Sequence, residues 1–269
     1  MYAAVIPAQN EESQIGSVIR NLLQLPLDVL IPVVNGCYDQ TLQVCLSVSS
    51  SKIYTVYFPE PLGIDVPRAI GAHYAKKFNV KGVLFIDGDM TGNFIRSLEQ
   101  LILSIELGID CALTNCYPYI YNRNMLAKKV LRYRELVNRK MNLFEKLGLA
   151  SLSHGPHAVS QKLLQTIPVE LFAIPPVELA VAKKNNLSIE VATAIPHQHL
   201  GSPIKSLYHA TMIAYTIIGD CIEALAVLDN LPRSRYEGNI FYGGYHSQRR
   251  FDLLDQFLKT PGKIKIFHS

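Results

Sequence analysis

The sequence predicts an α/β fold with a mostly parallel central sheet flanked by helices, followed by a helical C-terminal extension. Two observations carry the prediction. Four short apolar runs alternate with segments of helical spacing, a β-α-β-α order that requires right-handed crossovers and parallel strands. The fourth run, Val83-Leu84-Phe85-Ile86, reads as a strand buried on both faces and stops abruptly at Asp87-Gly88-Asp89. With 269 residues, 49% of them hydrophobic, the chain has room for one large domain or one domain with an appendage.

Taken in order, residues 3–7 form the first strand, and Ile15, Val18, Ile19, Leu22 and Leu23 mark one face of the helix that follows. Residues 28–34 are a second strand, closed by Asn35-Gly36. Residues 38–48 are a short helix with Asp39 as its N-cap. Residues 53–58 alternate Tyr and Val as a third strand, and a helix over 65–78 leads to the strand before Asp87. Beyond it, 91–108 reads as a helix, 110–115 as a strand and 123–147 as one long helix with a strong basic bias. Residues 151–157 are a polar, bent stretch before a small helix at 160–166. A helix at 177–186 and a strand at 188–195 close this part at Pro196-His197-Gln198-His199. Ser202-Pro203 supplies an N-cap and an N1 proline for a long helix reaching residue 228. A Gly/Tyr-rich loop over 236–245, Arg249, Arg250 and a helix at 251–258 complete the chain. Residues 1–201 are assigned to one catalytic unit and 202–269 to an extension that completes it.

Composition narrows the function. The formal charge of +4 favours anionic ligands weakly and does not indicate nucleic acid. Five cysteines lack any CxxC pair, which points to free thiols in the cytoplasm and away from a zinc site. The chain enters a strand at once, so no signal peptide is expected. The apolar segment 210–228 contains Asp220 and Glu223, which are costly in a bilayer. Lys205, His209, Thr216, Asp220 and Glu223 share one stripe, so an amphipathic helix is expected there and not a transmembrane span. The basic helix is either a solvated face or a dock for an anionic acceptor or anionic lipid heads, which leaves peripheral membrane attachment open as a location.

Asp87 and Asp89 carry the chemistry. Ligands of open α/β sheets collect at the carboxyl ends of the strands, where this pair falls. Two adjacent carboxylates repel each other, which suggests a bound cation, and oxygen ligands suit Mg²⁺ or Mn²⁺ together with substrate phosphates. The plain alternative is a surface turn, since Asp-Gly is ordinary turn chemistry.

Several stretches together resemble the family 2 glycosyltransferases of the GT-A fold, over roughly residues 1–200. Val5-Ile6-Pro7-Ala8-Gln9-Asn10-Glu11-Glu12 looks like the family's opening V-I-P-A-x-N-E-E. That match implies that Pro7, Ala8, Gln9 and Glu11 hold the nucleoside of a nucleotide-sugar donor. Val33-Val34-Asn35-Gly36-Cys37-Tyr38-Asp39-Gln40-Thr41 is similar to V-x-D-G-S-x-D-x-T, with Asn35 and Cys37 in place of the usual acid and serine. The resemblance implies a donor contact at Asn35, Arg68 near the diphosphate, and Asp87-Gly88-Asp89 as the metal-binding DxD. Asp89 would then be the direct ligand, with Asp87 acting through water or the donor ribose. Val177-Glu178, followed by a strand and Pro196-His197-Gln198-His199, is also similar to retaining glucosyl-3-phosphoglycerate synthases. On that likeness His197 is the third protein ligand, with His199 as the alternative. Glu178 is either an inverting enzyme's base or a holder of hydroxyl groups, and the likeness favours retention. No Q-x-x-R-W motif and no Trp is present, which argues against a processive polysaccharide synthase.

The resemblance implies a metal-dependent transferase moving one sugar from a UDP-sugar, or secondarily a GDP-sugar, to a small-molecule or lipid-linked acceptor of anionic character. Residues 153–157 would form the acceptor side, and the 236–245 loop would close over the donor with Arg249 or Arg250 approaching the phosphates. A homodimer is left open. Two rivals stand: a sugar-1-phosphate nucleotidylyltransferase, whose glycine-rich start is absent here, and a non-catalytic nucleotide-sugar-binding protein of the same fold.

Overall fold

The computed structural model describes residues 1–119, 123–203, 206–260 and 265–268, so the expectation for Lys205 lies outside the described residues. Strands β1 (Tyr2–Ala8), β2 (Val29–Asn35), β3 (Tyr54–Phe58) and β4 (Gly82–Phe85) are joined by helices α1 (Ile15–Leu22), α2 (Thr41–Ser47) and α3 (Val66–Ala75). Helix α4 (Ile95–Glu106) leads to β5 (Cys111–Asn115), α5 (Met125–Lys140) and α6 (Phe144–Leu147). There follow β6 (His157–Ser160), α7 (Gln161–Thr166), α8 (Pro175–Lys184) and β7 (Ile189–Ala194). The last segment holds α9 (Leu207–Leu228), the hairpin β8 (Tyr236–Glu237) and β9 (Ile240–Phe241), α10 (Phe251–Lys259) and β10 (Lys265–His268).

The main sheet has eight strands in the order β10-β3-β2-β1-β4-β6-β5-β7. β1 lies at its centre, with Val5 opposite Ile31 on one side and Phe85 on the other, both pairings parallel. β2 with β3 and β5 with β7 are also parallel, whereas β6 and β10 run against their neighbours. Alternation along β1 divides the core into two layers. Ala3 and Val5 face the layer of α3, α8 and α9, and Ala4, Ile6 and Ala8 face that of α1 and α4. Ile15, Val18, Ile19 and Leu22 form the buried stripe of α1, and burying each such side chain contributes about 1.5–3 kcal/mol.

Four local expectations are corrected. The long basic helix breaks after Lys140 at Asn142, whose φ of 56° ends α5 before the short α6. β6 occupies residues read as the end of a polar bend and the start of a helix. Its His157 is buried because the ring stacks on Phe85 at 5.0 Å. The long helix begins at Leu207, capped by Ser206, whose side chain accepts from the His209 N–H at 3.2 Å; Ser202 is not its cap. The polar stripe of α9 points inward: Thr216, Asp220 and Glu223 are buried, while Leu207, Tyr208 and Tyr215 are exposed. Arg235 donates to Asp220 (2.6 Å) and Glu223 (2.8 Å), and Arg249 to both Asp220 oxygens (2.7 Å each), which makes the inward orientation tolerable.

Candidate active site

The carboxyl ends of β1, β2 and β4 meet at one edge, and their loops are laced together by side-chain hydrogen bonds. Asn35 donates to the Ala8 carbonyl (3.1 Å) and accepts from the Leu62 N–H (2.9 Å), so both ends of its buried amide are used. This placement makes Asn35 a tie between the loops. The Glu11 N–H donates to Thr41 (2.7 Å), the Tyr38 N–H to Asn10 (3.0 Å) and the Asn10 N–H to the Cys37 sulfur (3.3 Å). The loop after β1 is thereby fixed, with Gln9 exposed, Pro7 half-buried and Ala8 buried.

Asp87 and Asp89 follow β4, both half-buried. Arg68, in the first turn of α3, donates to both oxygens of Asp87 (2.8 and 3.1 Å) and to the Leu152 carbonyl (3.1 Å). Asp65, in the left-handed region at φ 64°, lies 3.6 Å from Arg68 and accepts from Arg249 at 3.0 Å. Asp89 accepts from the Ser202 hydroxyl at 3.0 Å. The segment carrying His197 is pinned beside it, because the Gly92 N–H donates to Leu200 (3.0 Å) and Thr91 donates to Gly201 (3.2 Å). Only glycines allow this approach: a Cβ at Gly92 would lie 1.9 Å from the His199 carbonyl oxygen, and Gly201 has φ 80°.

His197 faces the same edge, with Nδ1 3.0 Å from Nε2 of His154. His154 stacks on Tyr117 at 5.3 Å, and Tyr117 accepts from Arg134 at 3.0 Å. Burial, with the charge of Arg134 nearby, holds His154 well below the usual imidazole range and keeps it neutral. Arg134 also donates to Ser153 (3.2 Å), and Arg123 lies over the Tyr117 ring at 4.6 Å. Beside this cluster opens a cleft of about 290 Å³, bordered by Tyr117, Arg123, Lys128 and Arg132.

Glu178 lies in the first turn of α8, 2% exposed, with its Oε1 meeting no hydrogen-bond partner. Burial pushes its carboxyl up to about 8, against the opposing pull of Arg68. At neutral pH it is largely protonated and able to donate. The structure thus brings Asp87, Arg68, Asp89 and the His197 segment to one edge. Among the described residues, however, the candidate ligand atoms that lie within 4.8 Å of one another belong to Asp220, Glu223 and His246. Arg235 and Arg249 already occupy that cluster, each 3.2 Å from Nδ1 of His246. Both predicted arginines are engaged within the fold: the Arg249 side chain is fully buried on Asp65 and Asp220, and Arg250 pairs with Asp252 at 2.6 Å.

No family model and no curated protein matches the sequence. Among solved structures, glucosyl-3-phosphoglycerate synthase from Mycobacterium tuberculosis, in complex with Mn²⁺, UDP and glucosyl-3-phosphoglycerate, matches 87% of this chain and 82% of its own. The TM-score is 0.61 and the sequence identity 19%. The fold is GT-A. Two further complexes of that synthase share the GT-A architecture with this chain. One holds Mn²⁺, UDP-glucose and phosphoglyceric acid (TM-score 0.60, 19% identity, 87% and 82% covered). The other holds Mg²⁺ and UDP (TM-score 0.58, 18% identity, 87% and 81% covered).

Some residues at this edge of the GT-A sheet were missed by sequence reasoning. Ser202 was assigned to a helix cap, and Asp65 and Tyr117 had no assigned role. Arg134 did leave a signal: it falls on the apolar stripe of α5 with Val130, Val137 and Asn138, where a solvated arginine would not sit.

Proposed function

We propose that the chain is a glycosyltransferase moving a single sugar from a UDP-sugar, or secondarily a GDP-sugar, to an anionic acceptor with Mg²⁺ or Mn²⁺. The observation that carries this reading is the Asp87-Gly88-Asp89 turn at the carboxyl edge of a GT-A sheet, with its two carboxylates held apart by different partners. Arg68 restrains Asp87, and Asp89 accepts from the Ser202 hydroxyl. The donor set fits a hard divalent ion: Asp89 as direct ligand, Asp87 through water or the ribose, and His197 through Nε2. The Nδ1 of His197 is engaged by His154, the arrangement that orients a ligating imidazole. When bound, the ion neutralises charge developing on the departing nucleoside diphosphate.

The remaining roles belong to the chain itself. The fixed loop after β1, with Pro7, Ala8, Gln9 and Glu11, receives the nucleoside, and Asn35 holds that loop. Arg68, bonded to both oxygens of Asp87, holds that carboxylate in place at the edge. Protonated Glu178 has an unpartnered oxygen suited to a sugar hydroxyl, and a neutral carboxyl is a poor base; this supports retention over inversion. Arg123, Lys128 and Arg132 in the cleft suit a phosphate or carboxylate on the acceptor. Phosphoglyceric acid, bound by the similar synthase, is the first acceptor to try.

The test is product analysis. With UDP-glucose or related donors, Mn²⁺ and phosphoglyceric acid, the chain should release UDP and form a glycoside of unchanged anomeric configuration by NMR. Pyrophosphate-dependent formation of UTP would assign the nucleotidylyltransferase reaction instead. Donor binding without release of UDP, across UDP- and GDP-sugars, would leave a binding protein.

A further inference from the structure

The inward polar stripe of α9 leaves an apolar helix on the surface. Of its most apolar stretch, with mean hydropathy 1.6, 44% is buried. Leu207, Tyr208 and Tyr215 are 81%, 67% and 36% exposed, and Ile240 and Phe241 of the β8–β9 hairpin are about half exposed. These elements share one face with α5. Tyr242 packs at 5.2 Å against Tyr215 with its ring tilted by 59° and hydrogen-bonds Lys129, while Glu237 of the hairpin pairs with Lys129 at 3.0 Å. Met125, 81% exposed, opens α5, whose 16 residues hold six basic side chains: Arg134 is buried, Arg132 and Arg139 share Glu135, and Lys129 and Lys140 pair with Glu237 and Asp229. Lys128 and Arg132 are exposed on it. Exposed apolar and aromatic side chains beside a row of cations are the composition of a surface that lies in a lipid headgroup layer.

We propose that this face, formed by α5, the N-terminal half of α9 and the β8–β9 hairpin, docks peripherally on an anionic lipid bilayer. Charge complementarity selects that occupant. A second copy meeting the same face would bring the like charges of Lys128 and Arg132 from both copies into one interface. Insertion of α9 across the bilayer is opposed by Asp220 and Glu223, which are locked to Arg235 and Arg249 within the fold. The aromatic and aliphatic side chains enter the headgroup boundary while the cations meet lipid phosphates. The proposal is independent of the sugar transfer proposed above, because docking needs neither donor nor metal.

The test is co-flotation of the full chain, without nucleotide or metal, on vesicles of phosphatidylcholine alone and of phosphatidylcholine with phosphatidylglycerol. Binding is expected only to the mixed vesicles and should weaken as salt is raised. Each of Lys128→Ala and Arg132→Ala should reduce partition roughly fivefold, the ~1 kcal/mol of one cation near an anionic surface. Leu207→Ser with Ile240→Ser, both at exposed positions, should lower partition at every salt concentration while the thermal midpoint stays put. Absence of binding to mixed vesicles at low salt would overturn the proposal. So would binding that ignores all four substitutions. A dimer in sedimentation that the Leu207→Ser/Ile240→Ser variant dissolves would assign the face to a second copy and overturn it equally.

Discussion

At Glu178 the energetics and the proposed chemistry can be separated by pH. Its ordinary carboxyl value is 4.5, and burial raises the folded value to about 8. Between those values the folded chain keeps a proton that the unfolded chain has released. Stability therefore falls as pH rises, by up to about 1.4 kcal/mol per pH unit, and the loss is complete above the folded value. Glu178→Gln has no such titration, so its urea midpoint relative to the parent should rise from pH 5 to pH 8; an unchanged difference would refute the buried-acid assignment. If Glu178 holds a sugar hydroxyl, the amide should keep much of kcat and weaken KM. If it is a base, kcat should fall by ~10²–10⁴. The two aspartates form a second comparison. Asp89→Ala should abolish Mn²⁺-dependent UDP binding in calorimetry while the circular dichroism spectrum is retained. Asp87→Asn should bind more weakly than the parent yet measurably, because its direct protein partner is Arg68. Equal binding by both variants and the parent would remove the DxD from the metal site.

At the level of elements, the C-terminal segment braces the loop that leads into α3 and Arg68. The Arg250 N–H donates to the Leu62 carbonyl (2.9 Å), Arg249 donates to Ile64 (3.3 Å), and a Cβ at Gly63 would strike the Gln248 carbonyl oxygen at 2.2 Å. Arg249→Ala removes that cation from Asp65 and from both oxygens of Asp220, of which Oδ1 keeps Arg235, and a loss of about 3–5 kcal/mol is expected by urea unfolding. Burial already pushes Asp65 upward, and Arg249 is one of the charges holding it down. In the variant the buried carboxylates should therefore take up protons, and the deficit should shrink between pH 8 and pH 5. A deficit below ~1 kcal/mol, or one independent of pH, would show that the network is not braced through Arg249. This bracing was illegible in the sequence, where 236–245 looked like a mobile loop and the arginines like phosphate ligands. Periodicity shows that a stripe is polar. Whether that stripe faces water depends on partners far along the chain, here Arg235 and Arg249 for Asp220 and Glu223.

Across the whole molecule, the legible parts were those encoded locally. β1 to β5 and β7 appear as apolar runs, and Asp87-Gly88-Asp89 appears as a carboxylate pair ending one of them. β6 and β10 were hidden because neither carries an apolar run like that of β4: His157 and Ser160 bound β6, and Lys265 and His268 bound β10. His157 is buried only because Phe85 receives its ring, and β10 pairs with β3 from the far end of the chain. At the edge of the sheet, the Asp-x-Asp was legible and the contacts that orient it, Ser202 on Asp89 and His154 on His197, were not, since they join residues more than forty positions apart. A site assembled from such distant segments should couple its ligands to global stability. The proposed metal ligands Asp89 and His197 come from different segments, and UDP would bridge the β1 loop and the ion, so each ligand would need the other to complete its contacts. UDP at about 100 times its dissociation constant, with Mn²⁺ present, should add roughly 2.7 kcal/mol. For a chain of this size that raises the thermal midpoint by about 5–10 °C. UDP with a chelator, or Mn²⁺ alone, should give much less than half of that shift. Equal shifts with and without metal would mean that UDP is held by protein groups alone, and the metal-dependent reading of Asp89 and His197 would fail.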